Sequence, residues 1–548
     1  MTLPRIPYWI FIVLALVYFT ATRVDVMDID ASQYAEISRE MLAKGDYLHV
    51  FDRGKDYLDK PPFLFWASAA SMKIFGVNNF GYRFPSLLFA LWALFATYRL
   101  GKLLYNERTA RMAALILGTC QALFLMTNDV RTDTILMSWV ITAIWCIKEW
   151  EMTRKSLYFF AGCGAIAFGM MTKGPIALMV PVFCFLPDWI LKRKWKQFLQ
   201  PIFIPGVVFM GMLLVPMCIG LYQQFDLHPE KIIDGQTHTS GLRFFFWTQS
   251  FGRLSGENQW DNDAPFSFLF ENMLWAFQPW ILLFCIAMVV RVVQLFQLKF
   301  HLKEQDEALT IGGFILTYIV LAKSQYQLPH YIFVVFPLAA LMVAKLLEDF
   351  FDAKFKALFK TIHAIQIFIS GMLLLVALLL FVYVFKGAWW CYLVWFLGVG
   401  VWLLLLLKAR HKMFWMSASA MICLNIIATN HFYKTLLSDY QGSGAISRFI
   451  LKNHIPTDKL SLFQFEDPAV GLDFYTKSII PRNDTLKPTM PEYILTCNSG
   501  LDSLAAHNHS YTTLFQGKMF KVSELTPMFI NPITRDKALK SFYLIKLK

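Results

Sequence analysis

Three short stretches of this chain bring carboxylates and cations close together. The first reads Asp28-Ile-Asp30-Ala-Ser-Gln-Tyr34-Ala-Glu-Ile-Ser-Arg-Glu-Met-Leu, the second Tyr57-Leu-Asp59-Lys60-Pro-Pro-Phe and the third Arg131-Thr-Asp133-Thr. Carboxylates at the mouth of a membrane protein are costly unless they meet water, a cation or a substrate. A carboxylate held beside a polar acceptor can take its proton as a glycosidic bond forms, so Asp28 and Asp30 are candidate general bases. An ammonium at Lys60 can stabilise charge on a departing phosphate. Each stretch also has a plain structural reading. Asp30 with Gln33 three residues on has the spacing of a capping box. Asp59-Lys60-Pro61-Pro62 reads as a helix start beside a solvated ion pair. Asp133 can cap the helix it opens or pair with Arg131.

Three further basic residues fall at the ends of apolar spans: Lys173 in Met171-Thr-Lys-Gly-Pro175, Arg253 in Phe251-Gly-Arg, and Lys323 in Ala322-Lys-Ser-Gln-Tyr-Gln-Leu-Pro-His330-Tyr331. Singly, each is an interface anchor. Together they can line a pocket for a phosphate headgroup, with arginine giving bidentate contacts. Trp66 and the run Phe244–Trp247 suit an interface belt. The chain has no HExxH, P-loop, GxGxxG or GxSxG motif. Without a nucleotide-binding site, an activated substrate must arrive on a lipid.

The elements that would position these residues are membrane helices. Of 548 residues, 57% are hydrophobic and 16% charged, against about 25% charged in an ordinary soluble domain. Apolar blocks of about 17–25 residues match a bilayer's thickness. Thirteen such spans are expected, near 7–23, 80–100, 110–127, 133–150, 157–172, 174–191, 201–222, 266–292, 308–322, 327–347, 361–385, 388–407 and 413–430. Alternate short loops hold groups of basic residues, as at Lys192, Arg193, Lys194 and Lys196, whereas the intervening ones hold one each: Arg131, Lys173, Lys323 and Lys386. By the positive-inside rule the N-terminus lies inside and the segment after the last span lies outside. This distribution also argues that the net charge of +13 serves membrane topology and not nucleic acid. The nine cysteines form no CxxC pair and read as small core residues.

Two longer outer loops remain. Residues 24–79 carry amphipathic stretches at 31–44 and 61–75, suited to lying along the interface. Residues 223–265 contain His238, Arg243, the aromatic run and Glu257-Asn-Gln-Trp-Asp-Asn-Asp263. The tail, 431–548, alternates apolar and polar residues at Lys459–Phe465, Leu472–Tyr475, Tyr493–Thr496 and Tyr511–Phe515, which predicts a small α/β or mostly β domain with short strands. A membrane catalytic domain, 1–430, and a soluble outer domain, 431–548, are therefore expected. No internal repeat supports an inverted-repeat transporter.

The ordered set of Asp30-Ala-Ser-Gln-Tyr-Ala-Glu-Ile-Ser-Arg-Glu-Met-Leu, Asp59-Lys-Pro, Phe75-Gly-Val-Asn-Asn-Phe-Gly-Tyr-Arg83, Arg131-Thr-Asp133, Gly169-Met-Met-Thr-Lys-Gly-Pro, Phe245-Phe-Trp with Arg253, and Ala322-Lys-Ser with Leu328-Pro-His-Tyr resembles the GT-C membrane glycosyltransferases of the protein O-mannosyltransferase and lipid A aminoarabinose transferase type. The resemblance spans roughly 1–347. It implies an α-helical polytopic enzyme in the inner membrane that moves a sugar from a polyprenyl-phosphate carrier to a lipid or protein acceptor on the outer face, by single displacement with inversion. It implies catalytic roles for Asp30, Asp133 and Asp59, and phosphate contacts from Lys60, Arg131, Arg253 and Lys323. Asp28, Tyr34, Arg83, Lys173 and Tyr331 are further site candidates. The family has Glu-His where this chain has Gln249-Ser250, and a histidine near the position of Asn262, so a divalent metal would lack ligands here and no cofactor is assigned. A lipid-linked-sugar flippase is the alternative, but it predicts polar or broken helices at mid-membrane, and the spans are mostly clean of charge. A scaffold displaying the tail would leave the acidic and basic set without a role.

Overall fold

Inside a bilayer a helix satisfies its own backbone amides, which is why long apolar stretches fold this way. A computed structural model of the chain describes residues 6–548, apart from 234, 256, 258–260, 352–355, 410, 466–468 and 486–490, and apart from the side chains of 253, 254, 351 and 356–359. The helix α1 (Trp9–Thr20) leads into two short helices, α2 (Asp30–Lys44) and α3 (Phe63–Phe75), which match the two amphipathic stretches of the first loop. A hairpin of β1 (Phe51–Asp52) and β2 (Lys55–Asp56) separates them. Gly45, at φ +68°, ends α2 in the left-handed conformation that glycine adopts without strain.

Helices α4 (Asn79–Leu104), α5 (Glu107–Gly118), α6 (Gln121–Asn128), α7 (Thr132–Thr153), α8 (Ser156–Lys173), α9 (Ile176–Leu191) and α10 (Phe203–Leu221) follow. Beyond them lie Phe268–Ala276, Ile281–Gln297, Leu309–Ala322, Phe336–Phe351, Lys356–Leu379, Trp389–Lys408 and Lys412–Ile427. Each expected span thus coincides with a helix or a broken helix pair. Among the described residues, six helices are long and apolar enough to cross a bilayer, or seven if α5 and α6, bent by 55° at their break, form one span. The remaining helices fall short of that in length or apolarity, so the membrane region is multi-pass without fixing a count of thirteen. The segment Pro329–Phe350 is 94% buried over its apolar window and sits in the middle of the bundle, whereas Trp389–Lys408 is 6% buried and faces outward. Small residues permit the close packing: a Cβ on Gly101 of α4 would lie 2.8 Å from Leu341 and 3.0 Å from the Ala110 backbone.

At one end of the bundle the basic loops meet one another. Lys148 and Lys194 share Glu151 at 2.7 and 3.0 Å, and Tyr105 donates to Glu307 at 2.5 Å. Lys345 pairs with Glu348 at 2.9 Å. At the other end sit α2, α3 and the C-terminal domain. That domain holds a five-stranded sheet in the order β4-β3-β5-β7-β6, with β3 Leu460–Phe463, β4 Arg482–Asn483, β5 Tyr493–Cys497, β6 Tyr511–Met519 and β7 Lys540–Leu547. Strand β3 runs parallel to β4 and β5, and β7 runs antiparallel to β5 and β6. The strands expected at 459–465, 493–496 and 511–515 are present. Leu472–Tyr475 is instead part of a helix, Val470–Thr476. Its alternation misleads because the intervening Asp473 is as buried as Leu472 and Phe474, and because a carboxylate from the first loop, Asp28, accepts the Gly471 N–H in its first turn at 3.0 Å.

Candidate active site

The site forms where α2, the loop before α3 and the start of α7 converge. Asp30 opens α2, but neither it nor Gln33 caps the helix. No side chain caps α2 at Ile29; Asp30 Oδ2 instead takes the guanidinium of Arg131, and Gln33 donates to Asp52 at 2.7 Å. The capping-box spacing is therefore overruled by partners from other elements. Arg131 is shared: its Nε also donates to Asp129 at 2.8 Å. Asp129 was not among the expected site residues, since nothing in a two-residue spacing says which carboxylate the guanidinium will choose.

Two residues along, Asp133 turns to the other side. Its Oδ1 accepts Lys173 Nζ at 2.5 Å, and its Oδ2 lies 3.6 Å from His330 Nε2. The Lys173 ammonium sits 4.1 Å above the Tyr331 ring, within cation–π range. Asp133 is thus neither a cap nor the partner of Arg131. The third carboxylate, Asp59, pairs with Lys60 at 2.7 Å, and its backbone carbonyl accepts the Gln249 amide. Exposure separates the carboxylates: the Asp30 side chain is 40% exposed and that of Asp133 is 2% exposed. Asp30 can reach an incoming group; Asp133 can only organise its neighbours.

Tyr34, buried on α2, lies within electrostatic range of Lys60, Asp30, Asp59 and Arg131. Burial raises its phenol above the ordinary tyrosine value, so it stays protonated. Burial alone would lower the Lys60 ammonium, but the Asp59 carboxylate, bonded to it at 2.7 Å, opposes this and the group stays above its ordinary value. Lys60 is accordingly a permanent cation with only 15% of its side chain exposed.

Lys60, Lys173, Gln249, Ser250, Ser324 and Tyr331 give a cleft its polar lining. Ile176 and Met179 of α9 and Val320 and Leu321 of the helix Leu309–Ala322 give it aliphatic walls. Gln249-Ser250, which from sequence was only a departure from the family pattern, is cleft wall. Asn262 lies outside it, bonding the backbone of Gln327 at 2.7 Å. Across Asp59 a second, polar basin opens outward, with ≈ 1300 Å³ of empty volume; Gln33, Asp52, Arg53, Asp56, Asp59 and Arg482 contribute polar groups to it.

The remaining candidates fall elsewhere. Arg83 is buried and donates to the carbonyls of Val24, Asp25 and Asn128, so it supports the loop from behind. Asp28 gives one oxygen to Ser443 at 2.7 Å and the other to Gly471 at 3.0 Å, facing the C-terminal domain and not the cluster. Lys323 is exposed at the end of its helix. The Arg253 side chain lies outside the described residues, although its helix, Gly252–Ser255, directly follows the cleft residue Phe251. Among the described residues no three His, Cys, Asp or Glu gather to hold a metal.

Behind the cluster, Glu36 of α2 is fully buried against Arg39, which contacts it at 2.6 and 2.7 Å. Burial pushes the carboxyl from 4.5 up to about 7, against the pull of Arg39. Between those two values the folded protein keeps a proton that the unfolded chain has released, so stability at this site falls as pH rises through the window. Melting the native protein and Glu36→Gln between about pH 5 and 7.5 is expected to show the steeper loss in the native protein; equal slopes would contradict the burial argument.

The chain is similar to known proteins in both sequence and fold. Residues 59–219 match the family described as dolichyl-phosphate-mannose-protein mannosyltransferase. The undecaprenyl phosphate-alpha-4-amino-4-deoxy-L-arabinose arabinosyl transferase of Edwardsiella ictaluri is 29% identical over 57% of this chain and 54% of that relative. An enzyme of the same name from Pseudomonas fluorescens is 27% identical over 64% of this chain and 61% of its own length. The chain therefore spans little more than half the length of these curated relatives. In structure, ArnT from Cupriavidus metallidurans, solved bound to undecaprenyl phosphate, superposes with a TM-score of 0.73 at 16% identity, covering 98% of this chain and 97% of that one. The chain shares its fold, the GT-C fold, with ArnT. The Archaeoglobus fulgidus oligosaccharyltransferase, at TM-score 0.50 and 12% identity over 86% of this chain and 65% of that one, shares the GT-C fold more distantly.

Proposed function

We propose that this protein is an inverting glycosyltransferase that takes a sugar from an undecaprenyl-phosphate-type carrier on the outer face of the inner membrane and attaches it to an envelope acceptor. The observation that carries this is the cleft, whose walls combine two lysines and hydroxyl groups with aliphatic side chains, the combination that a phosphate on a long prenyl tail requires. That ArnT is known bound to undecaprenyl phosphate, and that the relatives are named for this carrier, supports the same ligand class.

In this reading the carrier phosphate meets Lys60 and Lys173 beside Tyr331. The acceptor approaches through the outer basin and presents its nucleophilic oxygen to Asp30. As that oxygen bonds to the anomeric carbon, Asp30 orients it or takes its proton, and the carbon–oxygen bond to the carrier breaks with its electron pair leaving on phosphate. Lys60 neutralises the developing charge, and Asp133 holds Lys173 in position. Residues 1–430 act as the membrane catalytic region and 431–548 as an outer domain. The gathering of basic loops at the end away from the cluster supports an N-terminus inside and the C-terminal domain outside.

The cleft assignment is tested by binding. Undecaprenyl phosphate added to detergent-purified protein is expected to raise the Tm, since a ligand at 100 times its Kd stabilises by about 2.7 kcal/mol. Met179→Trp, which puts a larger side chain into the cleft wall, is expected to abolish the rise. An unchanged Tm in the native protein, or an undiminished rise in the variant, would contradict it.

A further inference from the structure

We propose that the C-terminal domain is a working part of the active site, fastening the loop that carries Asp30, with Asp28 as the positioning residue through which it acts. The proposal rests on the glycosyltransfer reading and gives the domain and Asp28 a role in it.

Residues 24–28 connect α1 to α2, and they are gripped from two sides. From the membrane region Arg83 takes the carbonyls of Val24 and Asp25. From the C-terminal domain, Arg448 pairs with Asp25 at 2.7 Å. The Tyr475 hydroxyl accepts the Val26 N–H at 2.7 Å and donates to Asn79 at 2.9 Å. Gln441 accepts the Asp28 N–H and donates to the Val26 carbonyl, both at 2.8 Å. The Asp28 carboxylate completes the grip on Ser443 and Gly471. Asp28 is 5% exposed; a buried carboxylate of this kind is tolerable because its oxygens are hydrogen-bonded.

This grip ends two residues before Asp30. The orientation of Asp30 toward Arg131 therefore depends on a domain remote in sequence. A second contact continues along α2, where Arg39 donates to the Lys477 carbonyl at 3.3 Å. Catalytic geometry is sensitive to such support, since about 1 Å of displacement can cost about 10²-fold in rate. Two groups that donate to the Asp28 carboxylate are Ser443 Oγ–H and Gly471 N–H. An asparagine oxygen can keep one, and the serine hydroxyl can accept from the new amide. A positioning role thus tolerates Asn, whereas a proton-transfer role does not.

Full-length protein in nanodiscs is assayed with an undecaprenyl-phosphate-linked sugar. Asp28→Ala is expected to lower kcat by about 10–10²-fold with the donor KM unchanged, and Asp28→Asn to restore most of it. Gly471→Ala acts from the other side, because its Cβ would lie 2.9 Å from Ser443 Oγ and 3.1 Å from Asp28 Oδ1; it too is expected to lower kcat. Hydrogen exchange reads the fastening without any assay of activity: amides of α2 lose protection in Asp28→Ala and keep it in Asp28→Asn. The proposal is overturned if folded Asp28→Ala and Gly471→Ala turn over at the native rate, if Asp28→Asn is as inactive as Asp28→Ala, or if α2 protection is the same in all variants. If the native protein transfers nothing, it is the glycosyltransfer reading that fails, and exchange still decides the fastening.

Discussion

Asp30→Asn is expected to lower glycosyl transfer by about 10²–10⁴-fold, the usual worth of a positioned general base, while the protein still inserts and folds. Both halves follow from the geometry. Asp30 is the exposed carboxylate of the cluster, at 40% for its side chain, so it can meet an acceptor, and the amide that replaces it accepts no proton. Arg131 keeps its second carboxylate, Asp129 at 2.8 Å, so removing one negative charge does not strand a guanidinium. A purely structural Asp30 would give the opposite pattern: a lower Tm with kcat preserved in whatever protein remains folded.

Lys60→Met is expected to reduce kcat/KM for the carrier-linked donor by about 10²–10³-fold, comparable with removing one preorganised donor to a developing anion. Lys60 is held cationic by Asp59, and it lines the cleft. It therefore meets the carrier phosphate before and during bond cleavage, so the loss should divide between a higher donor KM and a lower kcat. Methionine is one atom shorter and keeps an unbranched stem in place of the lysine's aliphatic chain. Lys173 remains in the same cleft, so residual turnover above background is also expected. Unchanged kinetics would place the phosphate elsewhere.

Much of the frame was readable from sequence because it depends on local patterns. Apolar length marks a span, amphipathic spacing marked α2 and α3, and the Lys and Arg bias separated the two ends of the bundle. The Asp59-Lys60 pair and the Arg131–Asp133 stretch were visible as chemistry for the same reason. What escaped were choices between partners far apart in the chain. Asp30 with Gln33 looks like a capping box, yet Asp30 takes Arg131, a residue 101 positions away. Asp28 looks like the companion of Asp30, but it is bonded into the C-terminal domain 415 positions on. Leu472–Tyr475 alternates as a strand does, and it becomes helical where that same Asp28 meets its first turn. Gln249-Ser250 carries no motif, and only the folded loop brings it beside Asp59. Hydrophobic periodicity reports on one element at a time; a site assembled from several elements is decided by which side chains win the competition for each charge.

The central claim is cleavage of a carrier-linked sugar, and its most direct test follows the donor. Purified protein in nanodiscs is incubated with an undecaprenyl-phosphate-linked aminopentose and an extract of envelope glycolipids, and both lipid pools are followed by mass spectrometry. The account predicts that undecaprenyl phosphate appears in step with one added sugar mass on an acceptor, and that neither appears with Asp30→Asn. A donor that remains intact while moving between leaflets would contradict it and would make the protein a flippase.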